Sequence, residues 1–378
     1  MIATPSPESR IPSPGFSVTD HALMARALRL AERGLFTTLP NPRVGCVIAH
    51  GHEIVGEGWH ERAGEPHAEV FALRAAGERA QGATAYVTLE PCAHHGRTPP
   101  CADALVEAGI AHVVAACEDP NPHTNGSGLQ RLREAGIEVH VGLMSDAARE
   151  LNRGFFSRLE RGRPWVRVKL AMSLDGRTAL GSGASKWITG DAARADVQRW
   201  RARSSAILTG AGTARADDPR LTVRLPGGEA FQPPLRIVLD AKLDSLPAGA
   251  KLLDGTAPTL VLHAPEATSR DQRYARAELA AVPVDAQGRF DLVALMHLLA
   301  QREITELQVE AGPSLCGALF DAGLADELLL YVAPVLLGDL ARPLLHLPAL
   351  HDMAARKAVR VVDQRMLGTD VRLLLHPA

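Results

Sequence analysis

The chain has 378 residues, a length that favours two domains at roughly 100–200 residues per domain. Its residues are 46% hydrophobic and 22% charged, which is typical of a folded globular protein and excludes a disordered chain. The 41 Lys and Arg side chains nearly balance the 43 Asp and Glu, and the net charge of −2 argues against a main role in binding nucleic acid or a membrane surface.

The cysteines and the N-terminal residues indicate a cytoplasmic protein. Five cysteines are too few, and an odd number, for a secreted disulfide scaffold, so we expect a reducing compartment. No apolar stretch approaches the ~20 residues that cross a bilayer. The first residues carry Pro and Ser where a signal peptide has an apolar core, and we predict a flexible leader over residues 1–18.

The first half of the chain predicts an alternating α/β unit. Apolar spacing predicts a helix from Asp20 to Gly34. The short apolar runs Val44–Ala49 and Ile54–Trp59 flank a polar turn and predict a β-hairpin. The further predicted helices of this half cover residues 67–79, 101–109 and 128–135. Its further predicted strands cover residues 83–89, 113–116 and 138–141.

A basic segment separates the two halves. Residues 149–169 hold seven Arg or Lys against two Glu, which we interpret as a solvated helix and linker in preference to a phosphate-binding patch. The predicted domains therefore cover residues 19–160 and 161–378. The second half repeats the α/β rhythm, with predicted strands at residues 165–171, 206–209, 235–239, 259–262, 307–309, 328–332 and 370–375.

One His and two Cys in the first domain predict a zinc site. His67 begins a His-Ala-Glu motif, Cys92 follows a proline, and Cys101 begins a predicted helix. Helix N-termini favour the thiolate form that zinc requires. Three protein ligands leave a fourth position for water, which is typical of a catalytic zinc. A zinc that only ties down the loop is the alternative.

Glu69 is the predicted proton carrier of this site. It lies two residues after His67, about 200° around a regular helix, so both side chains are not expected to bind the same ion. The H-x-E…P-C…C pattern is the signature of zinc-dependent base deaminases, in which the glutamate acts as general acid and base. Eight residues separate Cys92 from Cys101, which departs from the common P-C-x-x-C spacing.

The longer spacing carries a family resemblance. The segment 88–101 (TLEPCAHHGRTPPC), with 41–45 (NPRVG), 64–69 (GEPHAE) and 119–122 (DPNP), resembles the deaminase domain of the bifunctional riboflavin-biosynthesis deaminase/reductases. That resemblance implies a cytidine-deaminase-like α/β/α fold and removal of the 2-amino group of a 2,5-diamino-6-(phosphoribosylamino)pyrimidinone. The implied roles are zinc ligation by His67, Cys92 and Cys101, acid/base catalysis by Glu69, and substrate contacts from Asn41, His60, His94 and Arg97.

Two departures from the family pattern concern substrate contacts more than the chemistry. Ala93 follows Cys92 where the family has Ser. The stretch 123–128 (HTNGSG) replaces a V-A-G-x-G sequence and keeps two of its glycines.

The second domain offers a phosphate site but no dinucleotide-binding fingerprint. No G-x-G-x-x-G follows a predicted strand, so a Rossmann domain is not expected. Residues 309–320 predict a strand that ends in glycine and a helix from about Pro313, whose N-terminal N–H groups can hold a pyrophosphate. An ordinary strand–turn–helix is the alternative.

Five motifs of the second domain resemble the reductase domain of the same family. They are residues 169–176 (KLAMSLDG), 185–189 (SKWIT), 216–219 (ADDP), 221–224 (LTVR) and 310–313 (EAGP). The resemblance implies a dihydrofolate-reductase-like α/β fold that uses NADPH to reduce the ribosylamino group of the substrate to ribitylamino.

The same resemblance assigns residues to this second reaction. Lys169 and Glu310 are the candidates for supplying or holding a proton. Contacts with NADPH are implied for Ala171, Trp187, Thr213, Asp217, Gly312, Pro313, Ser314, Leu315, Cys316, Gly317 and Ala318. Contacts with the substrate are implied for Ser185, Arg201, Leu221, Arg224 and Glu310. Arg201 and Arg224 suit a phosphate because a guanidinium binds it through two parallel hydrogen bonds.

The leading hypothesis is a bifunctional enzyme that performs two successive steps of riboflavin synthesis. The first alternative is a zinc-dependent nucleoside or nucleobase deaminase with a non-catalytic C-terminal domain, which NADPH binding would distinguish. The second is a zinc-stabilised RNA-binding protein that uses residues 149–169, against which the net charge and an aromatic content of 4% argue. The resemblance also implies a homodimer or larger homo-oligomer and a phosphoribosylaminopyrimidine substrate. The charge balance leads us to expect no nucleic-acid or membrane partner.

Overall fold

The computed structural model describes residues 15–93, 100–122, 124–184, 188–269 and 271–378. The chain divides into two compact units, Met1–Asn152 and Arg153–Ala378. The leader predicted over residues 1–18 lies outside the described residues up to position 14. Ser17 caps the first helix, because its hydroxyl accepts a hydrogen bond from the N–H of Asp20 and its own N–H donates to the Asp20 carboxylate.

The first unit combines helices with one sheet. Its described helices are α1 (Val18–Ala31), α2 (Ala68–Ala76), α3 (Cys101–Glu107), α4 (Ser127–Glu134) and α5 (Ser145–Leu151). Its described strands are β1 (Gly45–His50), β2 (Glu53–Trp59), β3 (Thr84–Val87), β4 (His112–Ala115) and β5 (Glu138–Val141). The strand order is β2-β1-β3-β4-β5, with β1 antiparallel to both neighbours and β3, β4 and β5 parallel. The predicted hairpin is confirmed.

Helix α2 packs closely on the hairpin. A Cβ added to Gly58 would lie 2.4 Å from the carbonyl oxygen of Ala68, so only glycine permits this approach. Ala68, Ala72 and Ala76 recur every four residues and bury one small-residue face of the helix. The N-terminus of α2 is thereby held at the end of β2.

The second unit is built on a larger sheet. Its described helices are α6 (Arg153–Arg161), α7 (Asp191–Arg203), α8 (Ala211–Asp217), α9 (Leu292–Gln301) and α10 (Pro313–Asp321). Its described strands are β6 (Trp165–Ser173), β7 (Arg177–Ala179), β8 (Ala206–Gly210), β9 (Leu235–Leu239), β10 (Thr259–His263), β11 (Glu278–Ala281), β12 (Glu306–Val309), β13 (Glu327–Ala333), β14 (Arg342–Pro343), β15 (Val359–Leu367) and β16 (Asp370–Pro377).

Nine of these strands form one sheet in the order β11-β10-β9-β8-β12-β6-β13-β16-β15. The pairs from β11 to β13 are parallel, and β16 is antiparallel to β13 and β15. Buried apolar side chains cover both faces, which parallel strands require. Strands β8 and β12 are neighbours. Helix α8 follows β8 directly, and three residues separate the end of β12 from α10. These two helix N-termini therefore meet at the carboxyl edge of the sheet.

The basic segment is not a solvated linker, so that interpretation is wrong. Arg167 is fully buried and donates from Nε to Glu327 at 2.5 Å and from Nη2 to Glu306 at 3.0 Å. Arg153 lies 2.9 Å from Glu327. Both glutamates belong to strands of the second unit. Because buried cations need partners of opposite charge, Arg153 and Arg167 are part of the core of that unit. The second compact unit accordingly begins at Arg153, whereas the sequence placed the boundary near residue 160.

In the described parts of the chain, no helix has the length and apolar character needed to cross a membrane.

Candidate active sites

The structure places His67 at the start of α2. His67 is the N-cap residue and is extended (φ −77°, ψ 166°), while its carbonyl accepts the N–H of Val70 at 3.1 Å. Its side chain is therefore not part of the helix surface and is free to turn toward the cysteines.

The two cysteines meet at the start of α3. Cys101 is the first residue of that helix, and its N–H points to Cys92 Sγ at 3.4 Å. The N–H of Ala102 donates to the Cys92 carbonyl at 3.1 Å. Hydrogen bonding with Cys101 lowers the pKa of the Cys92 thiol to about 4, which favours the thiolate.

The three side chains fit a zinc ion. His67 Nδ1 lies 3.3 Å from Cys101 Sγ and 3.6 Å from Cys92 Sγ, and all three donor atoms lie within 4.8 Å of one another. Zn–N and Zn–S bonds of about 2.0 and 2.3 Å in a tetrahedron separate neighbouring ligand atoms by about 3.5 Å. The structure thus brings the three predicted ligand atoms to the distances that separate ligands bound to the same zinc ion.

Glu69, the second residue of α2, lies beside this cluster. Its side chain is buried, and Glu69 Oε2 has no hydrogen-bond partner in the described protein. Burial raises the pKa of Glu69 to about 7. A buried carboxyl group with an unsatisfied oxygen and a pKa near neutrality suits proton transfer to a bound molecule.

Asn41 and His60 form a hydrogen-bonded pair next to His67. Asn41 Nδ2 lies 3.1 Å from His60 Nε2, and His60 Nδ1 lies 3.1 Å from the carbonyl oxygen of Pro66. Because a carbonyl only accepts, the His60 proton is on Nδ1 and Nε2 accepts from Asn41. Burial lowers the pKa of His60, and its ring meets that of His67 edge-on at 5.4 Å. The predicted contacts His94 and Arg97 lie outside the described residues.

Sequence reasoning missed the role of Glu90. Its buried carboxylate accepts the backbone N–H groups of Asp119, Gly126 and Gly128 at 3.1, 2.9 and 2.9 Å. A Cβ added to Gly128 would lie 1.8 Å from the carbonyl oxygen of Pro91. Glu90 thus ties the loop after β4 to the chain that carries Cys92. The TLEPC motif contains Glu90 and could have drawn attention to it, but the motif alone does not indicate what the glutamate binds.

The second unit contains a cavity of about 420 Å³ at the carboxyl edge of its sheet. The predicted residues that line it are Lys169, Ala171, Arg201, Thr213, Asp217, Leu221, Arg224, Glu310, Gly312 and Pro313. Ser185 and Trp187 lie outside the described residues. Gln198, Arg194, Tyr331 and Arg342 also line the cavity, and no sequence motif singled them out.

Glu310 and Arg201 form a two-pronged ion pair in this cavity. Arg201 Nε donates to Glu310 Oε1 at 2.7 Å and Nη2 donates to Oε2 at 2.8 Å. Burial alone would raise the pKa of Glu310, but the Arg201 charge and hydrogen bonds lower it to about 2. Glu310 is therefore a carboxylate that holds Arg201.

Lys169 lies half-buried at the same cavity wall. Burial lowers the pKa of Lys169, while the Glu310 charge opposes the shift. Its Nζ lies 5.8 Å from the ring centroid of Tyr331. A lysine with a lowered pKa at a cavity wall can release its proton more readily than a solvated one.

The start of α10 fits a nucleotide. Gly312 is the N-cap residue, and a Cβ there would lie 3.7 Å from Thr213 Oγ1, in the space beside the cavity. The bare backbone leaves helix N–H groups accessible to a phosphate. The other predicted contacts lie within α10 and are not among the cavity-lining residues: Ser314, Leu315, Cys316, Gly317 and Ala318. Cys316 is buried and donates to the carbonyl of Ala311.

These two arrangements define a class of protein. A His/Cys/Cys cluster with a buried glutamate is the site of a zinc-dependent hydrolytic deaminase. A basic cavity at the carboxyl edge of a parallel sheet is a nucleotide site of an α/β enzyme.

Comparison with known proteins agrees with that class. Residues 17–117 match the family described as cytidine and deoxycytidylate deaminase zinc-binding region, and residues 164–372 match the RibD C-terminal domain. The riboflavin biosynthesis protein RibD of Escherichia coli is 51% identical over 366 residues, which cover 94% of this chain and 99% of that protein.

Solved structures agree as well. RibD of Acinetobacter baumannii superposes with a TM-score of 0.88 at 46% identity, covering 95% of this chain and 99% of that one. A diaminohydroxyphosphoribosylaminopyrimidine deaminase/5-amino-6-(5-phosphoribosylamino)uracil reductase from Thermotoga maritima superposes with a TM-score of 0.84 at 32% identity and the same coverage. The chain belongs to the RibD family of riboflavin-biosynthesis enzymes. The predicted family, fold class and pairing of a deaminase with a reductase are confirmed, and zinc and NADPH fit the two domains.

Proposed function

We propose that the first unit deaminates 2,5-diamino-6-(5-phosphoribosylamino)pyrimidin-4-one to 5-amino-6-(5-phosphoribosylamino)uracil, and that the second unit reduces the ribosyl side chain of this product to ribityl. One observation carries the proposal: a single chain holds a His/Cys/Cys cluster beside a buried glutamate and, in another unit, a basic cavity at a sheet edge. The first unit is called the deaminase unit below, and the second the reductase unit.

In the deaminase unit, His67, Cys92 and Cys101 would hold zinc, which when bound supplies Lewis-acid activation of the attacking water. Glu69 takes a proton from that water and returns it to the departing amine, so that a C–O bond forms at C2, the C–N bond breaks and ammonia leaves. The pKa of about 7 lets Glu69 serve in both protonation states.

The Asn41–His60 pair is the candidate for orienting the pyrimidine. The hydrogen bond to Pro66 fixes the His60 tautomer, and Asn41 is held through His60 Nε2. Each side chain is thereby oriented before substrate arrives, which reduces the entropy lost on binding.

In the reductase unit, Gly312 and Thr213 lie where NADPH would be held, and NADPH when bound supplies the two electrons as a hydride. Lys169 is the proton donor in this proposal, because Glu310 is an ion-paired carboxylate. Its proton goes to the ribose ring oxygen, so that the C1′–O bond breaks and C1′ becomes the acceptor of the hydride.

Arg224 is the candidate for the substrate phosphate. The backbone N–H of Arg224 donates to Gln198 Oε1 at 3.0 Å, and this hydrogen bond holds the Arg224 backbone at the cavity wall. Arg201 was also predicted to bind phosphate, but three of its donors serve Glu310 and the carbonyl of Thr222. We therefore assign Arg201 to holding the loop 221–224 and leave its guanidinium out of phosphate binding.

A homo-oligomer and a cytoplasmic location complete the proposal. In the edge strand β15, Val361 and Met366 are 53% and 62% exposed. An exposed apolar sheet edge favours pairing with a second copy of the chain, which would bury it.

None of the cysteines, all of which are described, forms a disulfide, which suits a reducing compartment. Light scattering of the purified chain tests the oligomeric state, and a monomer would contradict it.

Mass spectrometry of the products tests the two activities. Zinc-loaded chain is incubated with the diaminopyrimidine ribotide, with and without NADPH. We expect exchange of an amino group for oxygen without NADPH and a further gain of two hydrogens only with it. Exchange without later reduction would identify a deaminase with a silent second unit, and no exchange would overturn the deaminase assignment.

A further inference from the structure

Asp175 of the SLDG motif holds a surface strap that the proposed mechanism does not use. The strap is defined here as residues 335–344. Asp175 accepts the N–H of Leu337 at 3.1 Å and the N–H of Gly338 at 2.7 Å, and Leu174 N–H donates to the carbonyl of Val335 at 2.8 Å. The first half of the strap is therefore fastened to the turn that follows β6.

The second half of the strap is fastened to β7. Strand β14, which belongs to the strap, pairs with β7 through Arg342 and Ala179. Thr178 Oγ1 donates to the carbonyl of Pro343 at 3.3 Å. Two separate attachments thus fix the backbone on both sides of Arg342.

The attached backbone positions Arg342 at the wall of the reductase cavity. A Cβ added to Gly183 would lie 3.7 Å from Arg342 Nη2, so the guanidinium lies against the turn after β7. Gly183 has φ of +88°, a conformation that suits glycine and leaves room beside the guanidinium.

Among the described residues, Arg342 and Arg224 differ from the other two cavity-lining arginines, because neither of their side chains has an ion pair or a hydrogen bond. Arg201 is committed to Glu310, and Arg194 donates to the Thr189 carbonyl and the Asp191 carboxylate. Among the residues that the structure describes, the Arg342 side chain has neither an ion pair nor a hydrogen bond. The Arg342 side chain therefore lies at the cavity wall, exposed to solvent and without a paired carboxylate.

We propose that Arg342 is an anion-binding residue of the reductase cavity and that its ligand is a phosphate monoester. A guanidinium presents paired donors that match a phosphate, and an uncompensated positive charge at a cavity wall favours such a ligand. The inference rests on the proposed function, because the 2′-phosphate of NADPH and the 5′-phosphate of the pyrimidine substrate are both monoesters. Asp175 is a positioning residue in this scheme, since it acts through the strap.

The test compares Arg342→Gln with Arg289→Gln, a matched loss of charge at an exposed arginine of the same unit. The measured quantities are the Kd of NADPH, the Kd of NADH, and the KM for the deaminated ribosyl substrate. If Arg342 binds the cofactor phosphate, its variant weakens NADPH binding about 10-fold and leaves NADH binding unchanged. If it binds the substrate phosphate, KM rises about 10-fold and neither nucleotide is affected.

Values for Arg342→Gln that equal those of Arg289→Gln in all three measurements would overturn the inference. Wild-type chain that neither binds NADPH nor reduces the substrate would overturn the proposed function and this inference together. Arg342→Lys keeps the charge but not the paired donors, and we expect it to recover part of the lost affinity. Asp175→Asn should move the same constant as Arg342→Gln, and a loss of kcat alone would contradict its positioning role.

Discussion

Arg201 and Glu310 are joined by two parallel hydrogen bonds of 2.7 and 2.8 Å at the wall of the reductase cavity. Arg201 Nη1 also donates to the carbonyl of Thr222 at 3.0 Å. The pair therefore links the residue after β12 to helix α7 and to the loop that carries Leu221. The φ of Leu221, +49°, is uncommon for a residue other than glycine. We therefore propose that Glu310 acts by fixing Arg201 and thereby this loop.

The Arg201–Glu310 pair should remain intact over the working pH range. Because the folded pKa of Glu310 is lowered from 4.5 to about 2, the stabilising contribution of its charge is present above pH 4.5 and is lost only as the pH falls through about 2. We expect Glu310→Gln to raise the KM for the reduction substrate about 10-fold and to leave deamination unchanged. Steady-state kinetics from about pH 5 to 8 check this, and an acid limb that disappears in the variant would contradict it.

Lys169 should determine the alkaline side of the reduction profile. Burial lowers the pKa of Lys169, and the protonated form is the proposed donor, so kcat should fall as the pH rises through a value below that of an ordinary lysine. Lys169→Met should reduce kcat by about 100-fold or more and retain NADPH binding.

Lys169→Arg provides the matched control for the pH profile. Arginine stays protonated over the accessible range and is a poor proton donor, so kcat should be low and the reduction that remains should lack the alkaline limb. A limb that persists unchanged in Lys169→Arg would assign the titration to another group.

Removal of zinc should separate the two activities. Dialysis against a chelator should abolish deamination, with recovery when zinc is added back, and should leave reduction of the preformed deaminated ribosyl compound unchanged. Cys101→Ser should lose zinc, whereas Cys117→Ser, a buried cysteine outside the cluster, should keep it. Metal analysis with both assays checks this. Deamination that persists in metal-free protein would contradict a catalytic role of zinc and show that the site is structural.

Glu90 should control the stability of the deaminase unit. Its carboxylate serves three backbone N–H groups within 3.1 Å, and Glu90→Ala would leave them buried without an acceptor. We expect a loss of about 3 kcal/mol in the unfolding free energy of this unit. Urea unfolding followed by zinc release measures it, with exposed Glu107→Ala as control. Equal midpoints for the two variants would contradict the role of Glu90.

Local patterns in the sequence predicted the elements that carry the zinc site. The two short apolar runs around the polar turn at Gly51 predicted a hairpin, and β1 and β2 cover nearly the same residues. The His-x-Glu and Pro-Cys motifs lie at a helix start and in a loop, and the few residues around each motif are enough to predict those positions. His67, Cys92 and Cys101 could therefore be predicted as ligands without knowledge of the distances between them, and the structure brings the three side chains together.

Features that depend on distant partners could not be predicted. Arg167 appears as one more charge in a basic segment until β12 and β13 bring Glu306 and Glu327 to it. Strand β15 is exposed on both faces at the sheet edge, so it lacks the alternation that marks a strand. Arg342 lies at the cavity wall on a strap that is attached to Asp175 and to β7, both more than 160 residues earlier in the chain.

The proposed function requires two separate catalytic sites in this chain that act in succession, and crossed variants test this requirement. Glu69→Gln and Lys169→Met proteins, each zinc-loaded, are assayed alone and mixed with the diaminopyrimidine ribotide and NADPH. We predict that Glu69→Gln alone yields no product, that Lys169→Met alone stops at the deaminated ribosyl compound, and that the mixture forms the ribityl product. A Glu69→Gln protein that also fails to reduce the preformed deaminated compound would contradict the assignment of two independent sites.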